Sequence, residues 1–105
     1  MKQSIDGKVY NTETAKKLAH YWNGLGASDF GNLSEDLYIT KKGSAFLAGE
    51  GGARSCYSKI VGQNCWSGGE GIRPLLTNEE IIEWCERTGN DQALEEHFPE
   101  LIEEA

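Results

Sequence analysis

A helix-starting signal at residue 77 divides this sequence into two parts with different local patterns. Thr77-Asn78-Glu79-Glu80 has the form of a capping box, with a threonine at the N-cap and a glutamate three residues later. Leu76 and Ile81 are placed for the accompanying hydrophobic staple, and Gly89 predicts the end of the helix. The apolar side chains that we expect on its buried side are Ile81, Trp84 and Cys85.

A further helix is predicted directly after Gly89. Asn90 or Asp91 is placed to cap it, and Leu94, His97 and Phe98 are expected to face inward. Because Pro99 disfavours helical geometry at the residue before it, the helix breaks there or restarts as a last turn.

Before residue 76 the pattern favours strands, turns and one further helix. Asp6-Gly7 lies between two short strand-like segments and predicts a tight hairpin turn. A helix capped by Asn11 or Thr12 is predicted next, since apolar residues recur at helical spacing until Asn23-Gly24 stops it. The residues of this stripe are Ala15, Leu18, Ala19 and Trp22.

The clearest strand signals lie in the middle of the chain. Residues 36–40 and 45–48 predict an antiparallel pair with Leu37 and Ile39 on one face, and residues 71–75 predict a short edge strand, where Pro74 is tolerated. We read residues 49–71, rich in glycine, as an ordered loop. The predicted fold is α+β: a small antiparallel sheet of three or four strands, covered by two or three helices, in a single domain over residues 1–105.

Charge follows the same division of the chain. Residues 77–105 carry ten acidic side chains against Arg87, a net charge of −9, whereas residues 1–76 carry nine bases and seven acids. Such a surface repels nucleic acid and attracts basic protein surfaces, including those that hold nucleic acid. The predicted partner contacts are Glu79, Glu83, Glu86, Glu95, Glu96 and Glu100, with Trp66 as an aromatic anchor.

The spacing of these glutamates supports a phosphate-mimicking face. Glu79, Glu83 and Glu86 share one side of a helix, and Glu96, Glu100 and Glu103 extend it if the chain stays helical past Pro99. The alternative is a solvated helix face that only aids solubility. A face made for solubility usually mixes charges of both signs, which favours the first interpretation.

Several segments together resemble a family of short acidic bacterial and phage proteins. They are GKVYNTETA at 7–15, WNG at 22–24, SDF at 28–30, LYITKKG at 37–43, GEGGA at 49–53, WSGGE at 66–70 and PL at 74–75. The resemblance covers nearly the full chain and implies a product of a prophage or another mobile element. By analogy with such proteins, it implies an inhibitor of host defence of the anti-CRISPR kind. The resemblance carries over no functional residues.

A second hypothesis places function in the glycine-rich segment 49–71. Its glycines could cradle a phosphate near Arg54, or Glu50 and Glu70 could act as an acid–base pair in a small ligand-binding or enzymatic domain. The segment fits neither the P-loop nor the dinucleotide-binding pattern. The simpler interpretation is a series of tight turns that need glycine.

The remaining residues predict no catalytic group, no metal and no cofactor. His20 and His97 are far apart in sequence, and Cys56, Cys65 and Cys85 contain no C-x-x-C motif. We expect free thiols, with a Cys56–Cys65 disulfide as the alternative. The first residues lack a signal peptide's apolar stretch and no apolar run is long enough for a membrane span. We therefore expect a non-enzymatic monomer or homodimer in the bacterial host cytoplasm, with a basic host protein or ribonucleoprotein as its partner and no direct nucleic-acid binding.

Overall fold

The computed structural model describes residues 1–24, 31–52, 59–62, 65–67 and 69–102, with backbone only for 59–62 and 65–67. These residues form strands β1 (Lys2–Ile5), β2 (Lys8–Asn11), β3 (Lys16–Trp22), β4 (Leu33–Ile39), β5 (Ala45–Gly51), β6 (Lys59–Gly62), β7 (Cys65–Ser67) and β8 (Gly69–Leu75). Helices α1 (Asn78–Arg87) and α2 (Asp91–His97) follow, and a 3₁₀ turn covers Pro99–Leu101.

A four-stranded antiparallel sheet in the order β3-β4-β5-β8 forms the centre of the fold. β1 with β2, and β6 with β7, form two further antiparallel pairs. The α+β prediction with a small antiparallel sheet is therefore confirmed. β8 lies at the edge of the central sheet, where Pro74, which lacks an amide hydrogen, is tolerated.

The two faces of the sheet are covered by different elements. Ala45 and Leu47 of β5 pack with Trp84 and Leu94 in a core cluster between the sheet and the helices. The alternate residues of β5, including Phe46, point the other way and pack with Tyr10 of the first hairpin. This alternation is the ordinary pleat of a strand, and it places the helices and the β1–β2 hairpin on opposite faces.

The first hairpin turns at the two predicted residues. Asp6 and Gly7 both have positive φ angles, 51° and 78°, as a type I′ turn requires. A side-chain bond attaches the hairpin to the central sheet, since the backbone amide of Ile72 donates to Oε1 of Gln3 at 3.1 Å.

The helix predicted before Asn23 is wrong, because Lys16–Trp22 form strand β3. The register with β4 shifts between Lys17 and Ala19, and both Leu18 and Ala19 pack against the helix-side core. A bulge that places neighbouring residues on one face disturbs the period of two, so the apolar spacing imitates a helix. Trp22, assigned to the predicted apolar stripe, is 57% exposed.

The N-cap half of the predicted capping box is confirmed at the start of α1, since the amide of Glu80 donates to Oγ1 of Thr77 at 3.2 Å. The reciprocal half differs from the prediction: Oε1 of Glu80 accepts from the Thr77 hydroxyl at 3.4 Å rather than from the Thr77 backbone amide. At the other end, Gly89 has a φ angle of 74° and the Asn90 amide donates to the Cys85 carbonyl oxygen at 2.7 Å.

Two other expectations for the helical part have different outcomes. The prediction of a hydrophobic staple is wrong, because Leu76 is 74% exposed and is not part of the core. The interruption at Pro99 is confirmed, because α2 ends at His97 and the chain makes a 3₁₀ turn through Leu101.

The expectation of one ordered loop over residues 49–71 is also wrong. β5 continues to Gly51 and β8 begins at Gly69, with β6 and β7 between them. A strand is normally recognised in a sequence by apolar and polar side chains that alternate along it. Glycine has no side chain, so the glycine-containing ends of β5 and β8 show no such alternation.

Candidate functional site

The six glutamates predicted as partner contacts all lie exposed on the helical part of the chain. Three are on α1, two are on α2, and Glu100 lies in the 3₁₀ turn. We call the surface made by these six side chains the acidic helical surface. Its members are Glu79, Glu83, Glu86, Glu95, Glu96 and Glu100.

On α1, the acidic side of the helix is opposite to its buried side. Trp84 and Cys85 are fully buried against the sheet, whereas Glu79, Glu83 and Glu86 point to solvent. At a rise of about 1.5 Å per residue these three carboxylates span about 10 Å of the helix axis. One DNA strand carries about one phosphate per 3.4 Å, or about four over that length. The three carboxylates, about 5 Å apart on average, therefore have a lower charge density than one nucleic-acid strand, of the same order of magnitude.

A shallow groove, largely open to solvent, lies between side chains on this side of α1, and all the residues that line it belong to that helix. Ile82 is half-buried and supplies its apolar part, and the three glutamates of α1 and Arg87 supply its polar part. Arg87 is turned toward a neighbour, since its Nε donates to Oε1 of Glu83 at 2.8 Å. An aliphatic surface bordered by carboxylates matches the two halves of an arginine or lysine side chain.

The α2 part of the acidic helical surface is less regular. Gln92 donates its amide to Oε1 of Glu96 at 2.8 Å, and Nε2 of His97 lies 3.8 Å from Oε2 of the same carboxylate. The predicted extension of the acidic face through Glu100 required the chain to stay helical past Pro99. Because α2 ends at His97, the two helices do not form one continuous acidic face through Glu100. Glu103 and the side chain of Trp66 lie outside the described residues.

A buried carboxylate lies beneath the helices, and the sequence reasoning missed it. Glu35 of β4 is 1% exposed, and Nε1 of Trp84 donates to its Oε1 at 3.2 Å. Side chains two residues apart in a strand lie on the same face, so Glu35 lies on the same face as Leu37. A predicted strand that began before Asp36 would therefore have placed Glu35 on the buried face. The bond joins α1 to the sheet and so helps to position the acidic helical surface.

A second polar cluster lies on the other face of the same strand. Nδ1 of His20 is 2.5 Å from Oδ1 of Asp36, and Nζ of Lys17 is 3.4 Å from the same oxygen. These residues meet through the β3–β4 pairing. The sequence predicted a helix that included His20, and a residue in that helix would not pair with a strand residue such as Asp36. The contact between them was therefore not predicted.

The structure brings together Glu50 and Glu70, the pair considered for acid–base chemistry. They are directly opposite each other in the β5–β8 pairing, and both are exposed. Glu50 lines a cavity of about 250 Å³ with Asp36 and Ser34, but Glu70 does not contribute to its wall. That volume is below the roughly 300–1,000 Å³ of most ligand pockets. Arg54 lies outside the described residues.

Cys85 is a free thiol in the core beside Trp84. Burial raises its pKa to about 11, with smaller contributions from the charges of Asp91 and Glu86. A thiol with a raised pKa is mostly protonated and therefore a weak nucleophile. Cys56 and the side chain of Cys65 lie outside the described residues, so their proposed disulfide stays a prediction.

Across the ranges that the structure describes, no three side chains of histidine, cysteine, aspartate or glutamate are grouped so that they could hold a metal ion. In the same part of the chain, neither α1 nor α2 has the length and apolar character needed to cross a membrane.

Comparison with known proteins adds no relative to this description. No family model matches the chain, and neither a curated protein nor a solved structure matches it.

Proposed function

We propose that this protein is a binding protein that attaches its acidic helical surface to a basic protein surface. The target class that fits is a protein or ribonucleoprotein that holds nucleic acid, and occupation of its basic channel would inhibit it. The resemblance described above suggests a host defence complex of the kind that anti-CRISPR proteins block. The observation that carries the proposal is the groove on α1, where three carboxylates surround the half-buried Ile82.

Two features distinguish this surface from one that only aids solubility. The exposed charged residues of α1 and α2 are glutamates and Asp91 apart from Arg87, and Arg87 is paired with Glu83. The helix α1 is also held to the sheet by the buried Trp84 and its bond to Glu35. A helix whose backbone is already ordered loses little backbone entropy on binding, which favours a docking role.

Electrostatic attraction of this kind has a defined dependence on salt. Complementary charges speed association, and this effect falls as the Debye length shortens from about 10 Å at 0.1 M salt to about 3 Å at 1 M. The partner should therefore bind at low salt and be released at high salt.

Affinity capture from a bacterial host lysate tests the proposal. The tagged protein is washed at low salt, and the captured material is then challenged with a single-stranded oligonucleotide. We expect the oligonucleotide to release the partner, because both compete for the same basic surface. Retention of the partner under this challenge would argue against occupation of a nucleic-acid site.

A pair of matched variants assigns the binding surface. The triple variant Glu79→Gln, Glu83→Gln, Glu86→Gln should weaken capture about tenfold or more, since it removes three charges from the groove. The control variant Glu13→Gln, Glu50→Gln, Glu70→Gln changes the net charge equally at exposed positions outside α1 and α2. Equal loss in both variants would indicate net charge alone as the cause.

The control also tests the second hypothesis, a ligand site around the glycine-rich segment. The observation that favours it is the pairing of Glu50 with Glu70. If only the control variant loses function, and Glu50→Gln with Glu70→Gln reproduces the loss without the change at Glu13, the site lies at this pair and the acidic helical surface is not the binding surface.

A further inference from the structure

A second surface with the opposite charge lies on the other side of the molecule. A cavity of about 460 Å³ lies between the β1–β2 hairpin and the turn that joins β4 to β5. None of the residues in its wall carries a carboxylate. Its polar side chains include those of Lys8, Lys41, Lys42, Thr14, Thr40 and Ser44. We call it the lysine cavity.

Only the tertiary structure assembles this cavity. Lys41 and Lys42 lie together at a turn, but two adjacent lysines make a small patch. The hairpin adds Lys8 because Tyr10 of the same strand packs edge-to-face on Phe46 of β5, with ring centroids 5.4 Å apart. The hairpin also lies on the face of the sheet opposite to α1 and α2, which separates the cavity from the acidic helical surface.

The lysines of the cavity form no ion pair within the described chain, although the carboxylates of Asp6 and Glu13 flank residues of its wall. Lys8, Lys41 and Lys42 are exposed, and none forms an ion pair with a described carboxylate, whereas Lys17 pairs with Asp36. Like charges that share a cavity repel one another, and a bound anion would relieve this repulsion.

The turn between β4 and β5 adds neutral donors. Its internal bonds use the amide of Gly43, which donates to the Thr40 carbonyl oxygen at 2.9 Å, and the amide of Ser44, which donates to Oγ1 of Thr40 at 3.0 Å. Within the described residues the amides of Lys41 and Lys42 make no backbone–backbone hydrogen bond in this turn. The ammonium groups and hydroxyls of the cavity wall are donors that phosphate oxygens use in proteins, and turn amides without a backbone acceptor can add to such a set.

We propose that the lysine cavity binds the phosphate group of a small phosphorylated ligand of about mononucleotide size. Its volume falls within the roughly 300–1,000 Å³ of most ligand pockets, and a phosphate alone would fill a minor part of it. Val9 and Tyr10 add apolar surface to the same wall, which suits the organic part of such a ligand.

Calorimetric titration of the full chain with three probes at low salt tests the proposal. Inorganic pyrophosphate reports the anion site alone, adenosine 5′-monophosphate reports a phosphate with an organic part, and adenosine lacks the phosphate. We expect both anions to bind and adenosine to give no heat. Because pyrophosphate carries more negative charge than the nucleotide, nucleotide binding as tight as that of pyrophosphate or tighter would support an organic ligand, whereas weaker nucleotide binding would reduce the site to one for an inorganic anion. Absence of heat with both anions would overturn the proposal.

Matched lysine variants assign the site. Lys41→Gln with Lys42→Gln should weaken pyrophosphate binding about tenfold, because two of the three ammonium groups are lost. The control Lys2→Gln with Lys16→Gln removes the same charge from exposed positions outside the cavity and should bind as the wild type does. All four lysines are exposed, so both variants should fold, which circular dichroism verifies. An equal loss in the control would show that net charge rather than the cavity attracts the anion.

Discussion

The bond between Trp84 and Glu35 gives the sharpest test of how α1 is held on the sheet. Trp84→Phe removes the indole donor and leaves a 1%-exposed carboxylate with one hydrogen bond fewer. Leaving a buried acceptor without its donor costs about 1–3 kcal/mol, and the smaller ring adds about 1 kcal/mol for the cavity it leaves. We expect the free energy of unfolding to fall by about 3 kcal/mol.

The reverse change leaves the other partner unsatisfied. Glu35→Met keeps a long apolar side chain but removes the acceptor, and a buried N–H without an acceptor costs about 1–3 kcal/mol. In the double variant neither polar group remains. Its loss should therefore be smaller than the sum of the two single losses by about 2 kcal/mol. Any other interaction of Glu35 is lost in the single and the double variant alike and cancels from this difference.

Urea unfolding followed by far-ultraviolet circular dichroism measures all four proteins without relying on tryptophan fluorescence. As a control, Trp84→Phe combined with Glu50→Gln should be additive, because Glu50 lies on the opposite face of the sheet. Additivity of the Trp84 and Glu35 changes within about 0.5 kcal/mol would refute the coupling inferred from the 3.2 Å bond.

Three further predictions concern single residues. Because burial raises the pKa of the Cys85 thiol from 9.0 to about 11, the unfolded chain ionises first as pH rises through that interval. The free energy of unfolding should fall by about 2 kcal/mol between these two pH values, and subtracting the urea curves of Cys85→Ala isolates the thiol. Thr77→Ala should lower stability by about 1 kcal/mol, seen as a lower Tm, because Glu80 loses the cap on its amide, while Thr77→Ser should retain it. Gly43→Ala should cost about 1–2 kcal/mol in a urea titration because the φ angle there is +87°, and a stability equal to the wild type would contradict this turn conformation.

Short sequence motifs predicted the structure correctly where the stability of a turn or a helix end depends on residues that are neighbours in the chain. The Asp6-Gly7 turn needs two positive φ angles, and the helix start at Thr77 needs a side-chain acceptor for one amide; both requirements are met within four residues. The break at Pro99 follows from the covalent geometry of proline. The same holds for the exposure of the glutamates on α1, because the apolar positions of that helix define the opposite side.

Local signals failed where pairing between distant segments decides the outcome. Residues 16–22 have a spacing compatible with a helix, but their backbone bonds go to β4 and their apolar side chains reach α1 and α2 through a bulge. Leu76 fits a staple by position, yet the direction in which β8 enters α1 leaves it in solvent.

The amino-acid sequence by itself therefore determined the turns, the helix ends and the concentration of negative charge after residue 77. These properties depend on backbone geometry, capping and composition, which act over a few residues. Tertiary structure alone decided that Glu35 is buried against Trp84, that Glu50 is opposite Glu70 and that Lys8 joins Lys41. Each of these arrangements joins residues far apart in the chain. Strand register places Glu50 opposite Glu70, whereas the packing of α1 and of the first hairpin on the central sheet brings the other two pairs together.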